Sequence, residues 1–143
     1  LTSNFGEYYY LGKCIERKSL KLLPKLGSYL DWIICGYGER PFFCIFSALG
    51  IIIIFSFLYL ITGIDTDGRT ILYTFSNMYT WNISKFIKDF NESLNLSVGM
   101  FAGVGIDNGK PTEIGYLVAN LEMLIGIVLM GVGVGTLVRK VIR

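Results

Sequence analysis

The sequence predicts an all-α membrane protein: two spanning helices flank a re-entrant segment, and an amphipathic helix precedes them. Three observations carry that prediction. Residues 41–64 contain no charged side chain, and about 20 apolar residues suffice to cross a hydrocarbon core. Residues 114–138 form a second such run, interrupted by one acid, Glu122, and followed by Arg139 and Lys140. Between the two runs lies Leu94–Asp107, Leu-Asn-Leu-Ser-Val-Gly-Met-Phe-Ala-Gly-Val-Gly-Ile-Asp, too apolar for an exposed loop. Composition agrees: 52% of the 143 residues are hydrophobic, 17% are charged and the mean hydropathy is +0.54, outside the usual range of soluble domains.

Taken in order, residues 1–40 read as an N-terminal segment. Residues 1–17 show no clear period, and Ser3-Asn4-Phe5-Gly6-Glu7 would be a single unit of a pentapeptide pattern, which one unit does not establish. From Ser19 onward Leu22, Leu23, Leu26, Tyr29, Leu30, Ile33 and Ile34 recur at helical spacing beside Lys18, Lys21 and Lys25. Pro24 suits a first turn, and a basic amphipathic helix ahead of a span is expected to lie in the membrane interface. Gly36-Tyr37-Gly38-Glu39-Arg40-Pro41 breaks the chain, with Pro41 placed to start the first span, residues 41–64. Gly63 and Asp65-Thr66-Asp67-Gly68 supply turn chemistry for a loop. Its aromatics Tyr73, Phe75, Tyr79 and Trp81 suit an interfacial belt or a subunit contact. Phe86, Ile87, Phe90, Leu94 and Val98 then mark a helix over 84–100. The second span is expected over about residues 112–138.

Charge sets the expected orientation. Lys13, Arg17, Lys18, Lys21, Lys25 and Arg40 precede the first span, and Arg139, Lys140 and Arg143 follow the second, whereas the basic residues between them are diluted by acids. The positive-inside rule then predicts cytoplasmic termini. The net charge of +2 gives no argument for nucleic acid. Cys14, Cys35 and Cys44 have no metal-knuckle spacing and read as free thiols in a reducing compartment. There is no histidine, and nothing pairs a nucleophile with a base, so an enzyme is not expected and no cofactor is implied. The chain opens at Leu1 and is expected to be an excerpt of a longer protein.

This layout resembles the two-transmembrane-helix pore module of the potassium-channel superfamily over residues 36–143. Gly36-Tyr37-Gly38-Glu39-Arg40-Pro41 and Leu121-Glu122-Met123-Leu124-Ile125-Gly126 are similar to a bacterial branch whose members often carry pentapeptide repeats. The resemblance implies a homotetrameric cation channel in a bacterial plasma membrane, with a cytoplasmic regulatory domain beyond these residues. The family's filter, Thr-Val-Gly-Tyr-Gly-Asp, falls on Phe101, Ala102, Gly103, Val104 and Gly105, with its acid displaced by Ile106 to Asp107. Stacked carbonyl rings replace an ion's hydration shell, and Gly103 and Gly105 permit the left-handed backbone this requires. Gly126 matches the family's hinge glycine, and Gly131, Gly133 and Gly135 would line a gate; Gly131 and Gly135 equally form a small-residue packing pair.

Two departures bear on the ion. Phe101 lacks the threonine hydroxyl of the innermost site, leaving its ring either at the pore or behind the filter. Val104 lacks the tyrosine hydroxyl that braces a potassium filter. The expected permeant ion is therefore a monovalent cation, K+ or Na+. Glu122 is expected to support the filter by bonding the pore helix or the filter's back, because an acid within a span is costly unless paired. Asp107, Glu113, Asp89 and Glu92 could concentrate cations at the mouth; as acids of an exposed loop they need no such role. The competing reading is a non-conducting membrane anchor or signalling subunit with a relic pore.

Overall fold

The computed structural model describes residues 2–38, 40–74, 82–105 and 109–142. Five α-helices dominate: α1 (Thr2–Ser19), α2 (Leu22–Cys35), α3 (Pro41–Thr62), α4 (Ile83–Phe101) and α5 (Gly115–Ile142). Among the described residues there are also three short strands, β1 (Ile64–Thr66), β2 (Arg69–Ile71) and β3 (Lys110–Pro111), and a single 3-10 turn over Gly36–Gly38. Among the described residues two helices are long and apolar enough to cross a membrane, over Phe42–Thr62 and Gly115–Ile142, and 22% of an 18-residue apolar stretch of each is buried. A soluble core helix of this hydropathy would be mostly enclosed, so the chain reads as a membrane protein. The chain forms two compact units, residues 1–48 with 128–143, and residues 49–127.

In the first unit, α1 is a helix where the sequence showed no period. Tyr8, Tyr9 and Tyr10 run consecutively and so occupy several faces, which erases the apolar stripe. Tertiary contacts hold it instead. Trp32 Nε1 donates to the Tyr10 hydroxyl at 2.8 Å, and the Arg17 guanidinium lies 4.4 Å from the Tyr29 ring centre and 4.7 Å from that of Trp32. Arg40 stacks on Tyr10 at 4.4 Å. Each such cation–π contact contributes about 0.5–1 kcal/mol at an exposed site. α2 ends at Gly36, whose φ of +53° and ψ of +48° form a left-handed cap. Ser47 of α3 donates to the Ile33 carbonyl at 2.8 Å. Cys14 is free, but Cys44 is disulfide-bonded, which corrects the free-thiol expectation for that residue.

In the second unit, the all-α expectation is modified by a three-stranded antiparallel sheet in the order β2-β1-β3. Asp67-Gly68, with φ of +23° and +87°, closes the two-residue hairpin that pairs Thr66 with Arg69 and Ile64 with Ile71. The expected first span ends two residues early because Gly63 takes a φ of +99° and Ile64 enters β1. Thr112 stays outside the second span: its Oγ1 donates to the Thr62 carbonyl at 2.7 Å and accepts from the Gly115 N–H at 3.4 Å. α5 extends past 138 through Arg139 and Lys140, whose charges suit a helix C-terminus. The core here is Tyr59, Leu60, Ile64, Ile71, Leu96 and Ala119.

Asp89, 1% exposed, corrects the expectation of a solvated acid: Arg69 donates to its Oδ1 at 3.2 Å and Tyr73 to its Oδ2 at 2.6 Å. Glu92 also accepts from Arg69, at 2.9 Å. Phe75, Tyr79 and Trp81 lie outside the described residues. Burial, then the bond to Asp89, raises the Tyr73 phenol from the usual 10 to about 12. A phenol whose folded value is raised contributes stability that is complete below pH 10 and lost as pH rises through about 12. Thermal unfolding should therefore show the native chain weakening across that window. Tyr73→Phe should be less stable below it and flatter through it; equal slopes for both chains would exclude this role.

Candidate functional site

The site is built on α4. Asn82 caps its start, its side chain accepting from the Ser84 N–H at 3.1 Å. Asp89, Ser93 and Ser97 recur every four residues, so all three fall on one face, and all three are buried. Ser93 Oγ donates to the Ser56 carbonyl of α3. Ser97 Oγ lies 2.9 Å from the Ile52 carbonyl of α3 and also bonds Oε1 of Glu122. The Tyr59 hydroxyl donates to Oε2 of Glu122 at 2.6 Å. Tyr59, Ser97 and Glu122 are all fully buried. Glu122 thus joins α3, α4 and α5 through side chains alone.

Beyond α4 the backbone turns back on itself. The N–H groups of Ala102 and Gly103 donate to the carbonyls of Val98 and Met100, both at 3.0 Å. Those of Val104 and Gly105 both reach the Gly99 carbonyl, at 3.0 and 3.2 Å. Gly103 and Gly105 have φ of +71° and +73°, and a side chain on either would meet open space. Val104 between them is 82% exposed. Every N–H of 102–105 is therefore consumed by the helix end, while no described group donates to their carbonyls. An anion site needs free N–H groups; this turn offers the opposite polarity, next to the negative end of a helix dipole.

Phe101 belongs to the helix. It is the last residue of α4, is 7% exposed, and its carbonyl is covered by α5 at Gly126. The ring therefore packs inside the chain, and its carbonyl faces Gly126, unlike the other four expected filter positions. A Cβ at Gly126 would collide with the Phe101 carbonyl oxygen. α5 is a single helix across this position, where the sequence suggested a hinge, and Gly126 lets it pack closely against the end of α4. A Cβ at Gly131 or Gly135 would meet no described atom within 4 Å, and one at Gly133 would meet Cys44 Cβ at 3.8 Å. Asp107 lies outside the described residues.

The sequence singled out Glu122 but not its partners Tyr59 and Ser97. The signal for Ser97 was present: Asp89, Ser93 and Ser97 place polar groups at helical spacing on a face that also carries Leu96. Tyr59 sits in an apolar run and gives no local sign of its role.

Two substitutions follow. Gly126→Ala should destabilise the protein by at least about 1–3 kcal/mol through overpacking, because the obstacle is backbone and cannot rotate away; a melting temperature equal to wild type would reject the contact. Phe101→Thr should cost about 3–5 kcal/mol, as for other truncations of buried aromatics. A ring at an open pore mouth would instead give a stable variant in the same thermal assay.

No family of known proteins, no curated protein and no solved structure matches this chain.

Proposed function

We propose that this chain is the pore-forming subunit of a homotetrameric cation channel, a two-span relative of the potassium-channel superfamily with an atypical Phe-Ala-Gly-Val-Gly filter. The observation that carries the reading is the polarity of the 102–105 turn: N–H groups all spent on the helix end, carbonyls that receive no donor among the described residues, and glycine at both left-handed positions. Carbonyls without donors suit the replacement of a cation's hydration water. Irregular backbone between two spanning helices is tolerated only where protein buries it or water lines it. One subunit offers a single such turn, which cannot enclose an ion, so four copies around an axis complete the site.

In this reading α2 lies in the interface, membrane lipid covers the apolar faces of α3 and α5, and both termini are cytoplasmic in a bacterial plasma membrane. Asp107 and Glu113 stand near the outer mouth, and Gly131, Gly133 and Gly135 line the lower pore. With no tyrosine hydroxyl at Val104 and with the Phe101 carbonyl turned to Gly126, the permeant ion is K+ or Na+ with weak discrimination between them. The protein needs no cofactor, binds no nucleic acid and catalyses no reaction, and a regulatory cytoplasmic domain would act on it from outside this chain.

Flux into liposomes, measured for K+, Na+ and Cl− in turn, tests the proposal. Both cations should pass and chloride should not. Gly103→Ala and Gly105→Ala force a side chain into left-handed backbone, at about 1–2 kcal/mol per residue, and should abolish flux without dissolving the oligomer. A folded, correctly inserted protein with no cation flux would instead be a membrane anchor or signalling subunit.

A further inference from the structure

The bridge between α3, α4 and α5 contains more hydrogen bonds than an ionised Glu122 can supply. Three oxygen–oxygen contacts meet there: Tyr59 hydroxyl to Glu122 Oε2 at 2.6 Å, Glu122 Oε1 to Ser97 Oγ, and Ser97 Oγ to the Ile52 carbonyl at 2.9 Å. Each needs a proton between its oxygens. A tyrosine and a serine hydroxyl provide one apiece, a backbone carbonyl provides none, and an ionised carboxylate only accepts. The Ile52 carbonyl also receives Ser56 Oγ at 2.7 Å and has nothing to give back. If Ser97 donated to a carboxylate, its oxygen and that of Ile52 would face each other at 2.9 Å with lone pairs only.

We infer that Glu122 is a neutral carboxylic acid whose Oε1–H donates to Ser97, freeing the Ser97 hydroxyl to donate to the Ile52 carbonyl while Oε2 accepts from Tyr59. The proton count then closes: three bonds, three protons, no net charge. The surroundings fit. Glu122 meets Tyr59 from α3 and Ser97 from α4, and among the described residues no lysine or arginine pairs with it; the ion pairs are Lys13–Glu16, Arg69–Asp89 and Arg69–Glu92. A buried carboxylate without a cation is strongly disfavoured, whereas a neutral acid both donates and accepts. Glu122 is thus a positioning residue: it fixes the height and rotation of α4 without placing a negative charge behind residues 101–105. This inference stands whether or not those residues conduct ions.

Infrared spectroscopy of the purified protein in lipid bilayers at neutral pH tests it. The native chain should show the carbonyl band of a protonated carboxyl, and 13C-labelled glutamate should displace that band, which separates Glu122 from the buried Asp89. Glu122→Gln should abolish the band and retain the melting temperature, because its amide N–H2 can donate to Ser97 and its carbonyl can accept from Tyr59. Glu122→Ala should lower the melting temperature. Ser97→Ala removes the acceptor and should move the band to the higher frequency of a more weakly bonded acid. Absence of the band in the native chain, its persistence in Glu122→Gln, or failure of 13C-glutamate to move it would each overturn the inference. So would a Glu122→Gln chain as unstable as Glu122→Ala.

Discussion

The position of α4 depends on hydrogen bonds made by short side chains to the backbone and carboxyl groups of its neighbours. Ser93 reaches the Ser56 carbonyl, Ser97 reaches the Ile52 carbonyl, and Glu122 closes the set with Tyr59. Between apolar helices in a bilayer, burying hydrocarbon gives little drive to associate, because lipid is as apolar as leucine. Directional polar contacts then choose one arrangement among many of similar packing. The turn at 102–105 inherits its place from them, since it starts where α4 stops.

The long elements were legible because their signals are local. An uncharged run fixes α3, and the apolar residues at helical spacing fix α4 to within a residue of the expected limits. The other elements depend on partners far along the chain. α1 owes its docking to Trp32, and Glu122 finds Tyr59 at a separation of 63 residues and Ser97 at 25. The strands are two or three residues long, too short to display alternation, although the Asp67-Gly68 dipeptide announced their hairpin. Glu122 was legible as an acid in need of a partner; which partner was not.

Gly126 and Phe101 illustrate how one residue's meaning changes with context. By distance along the sequence from residues 101–105, Gly126 reads as a point of bending; by contact, it reads as a socket for a carbonyl. One reading concerns a resting contact and the other a capacity to bend. Asp89 likewise passes from a solvated acid to the buried partner of Arg69 and Tyr73. Once β2 is recognised, Arg69 sits on a strand that can reach α4.

The pairing of β1 with β3 sets Ile64 opposite Pro111 and Asp65 opposite Lys110, and so draws the whole intervening stretch into a closed loop. Closing such a loop has an entropic cost that grows only logarithmically with its length, each doubling adding about 0.6 kcal/mol. The clasp therefore separates two kinds of evolutionary freedom. Changes in loop length that leave Tyr73 and the Asn82 cap in place have small thermodynamic consequence. A single insertion within a strand, between Ile64 and Asp65 or between Lys110 and Pro111, would shift the register and turn inward side chains outward. Variation among descendants of this sequence should accumulate inside the clasp and stop at its edges.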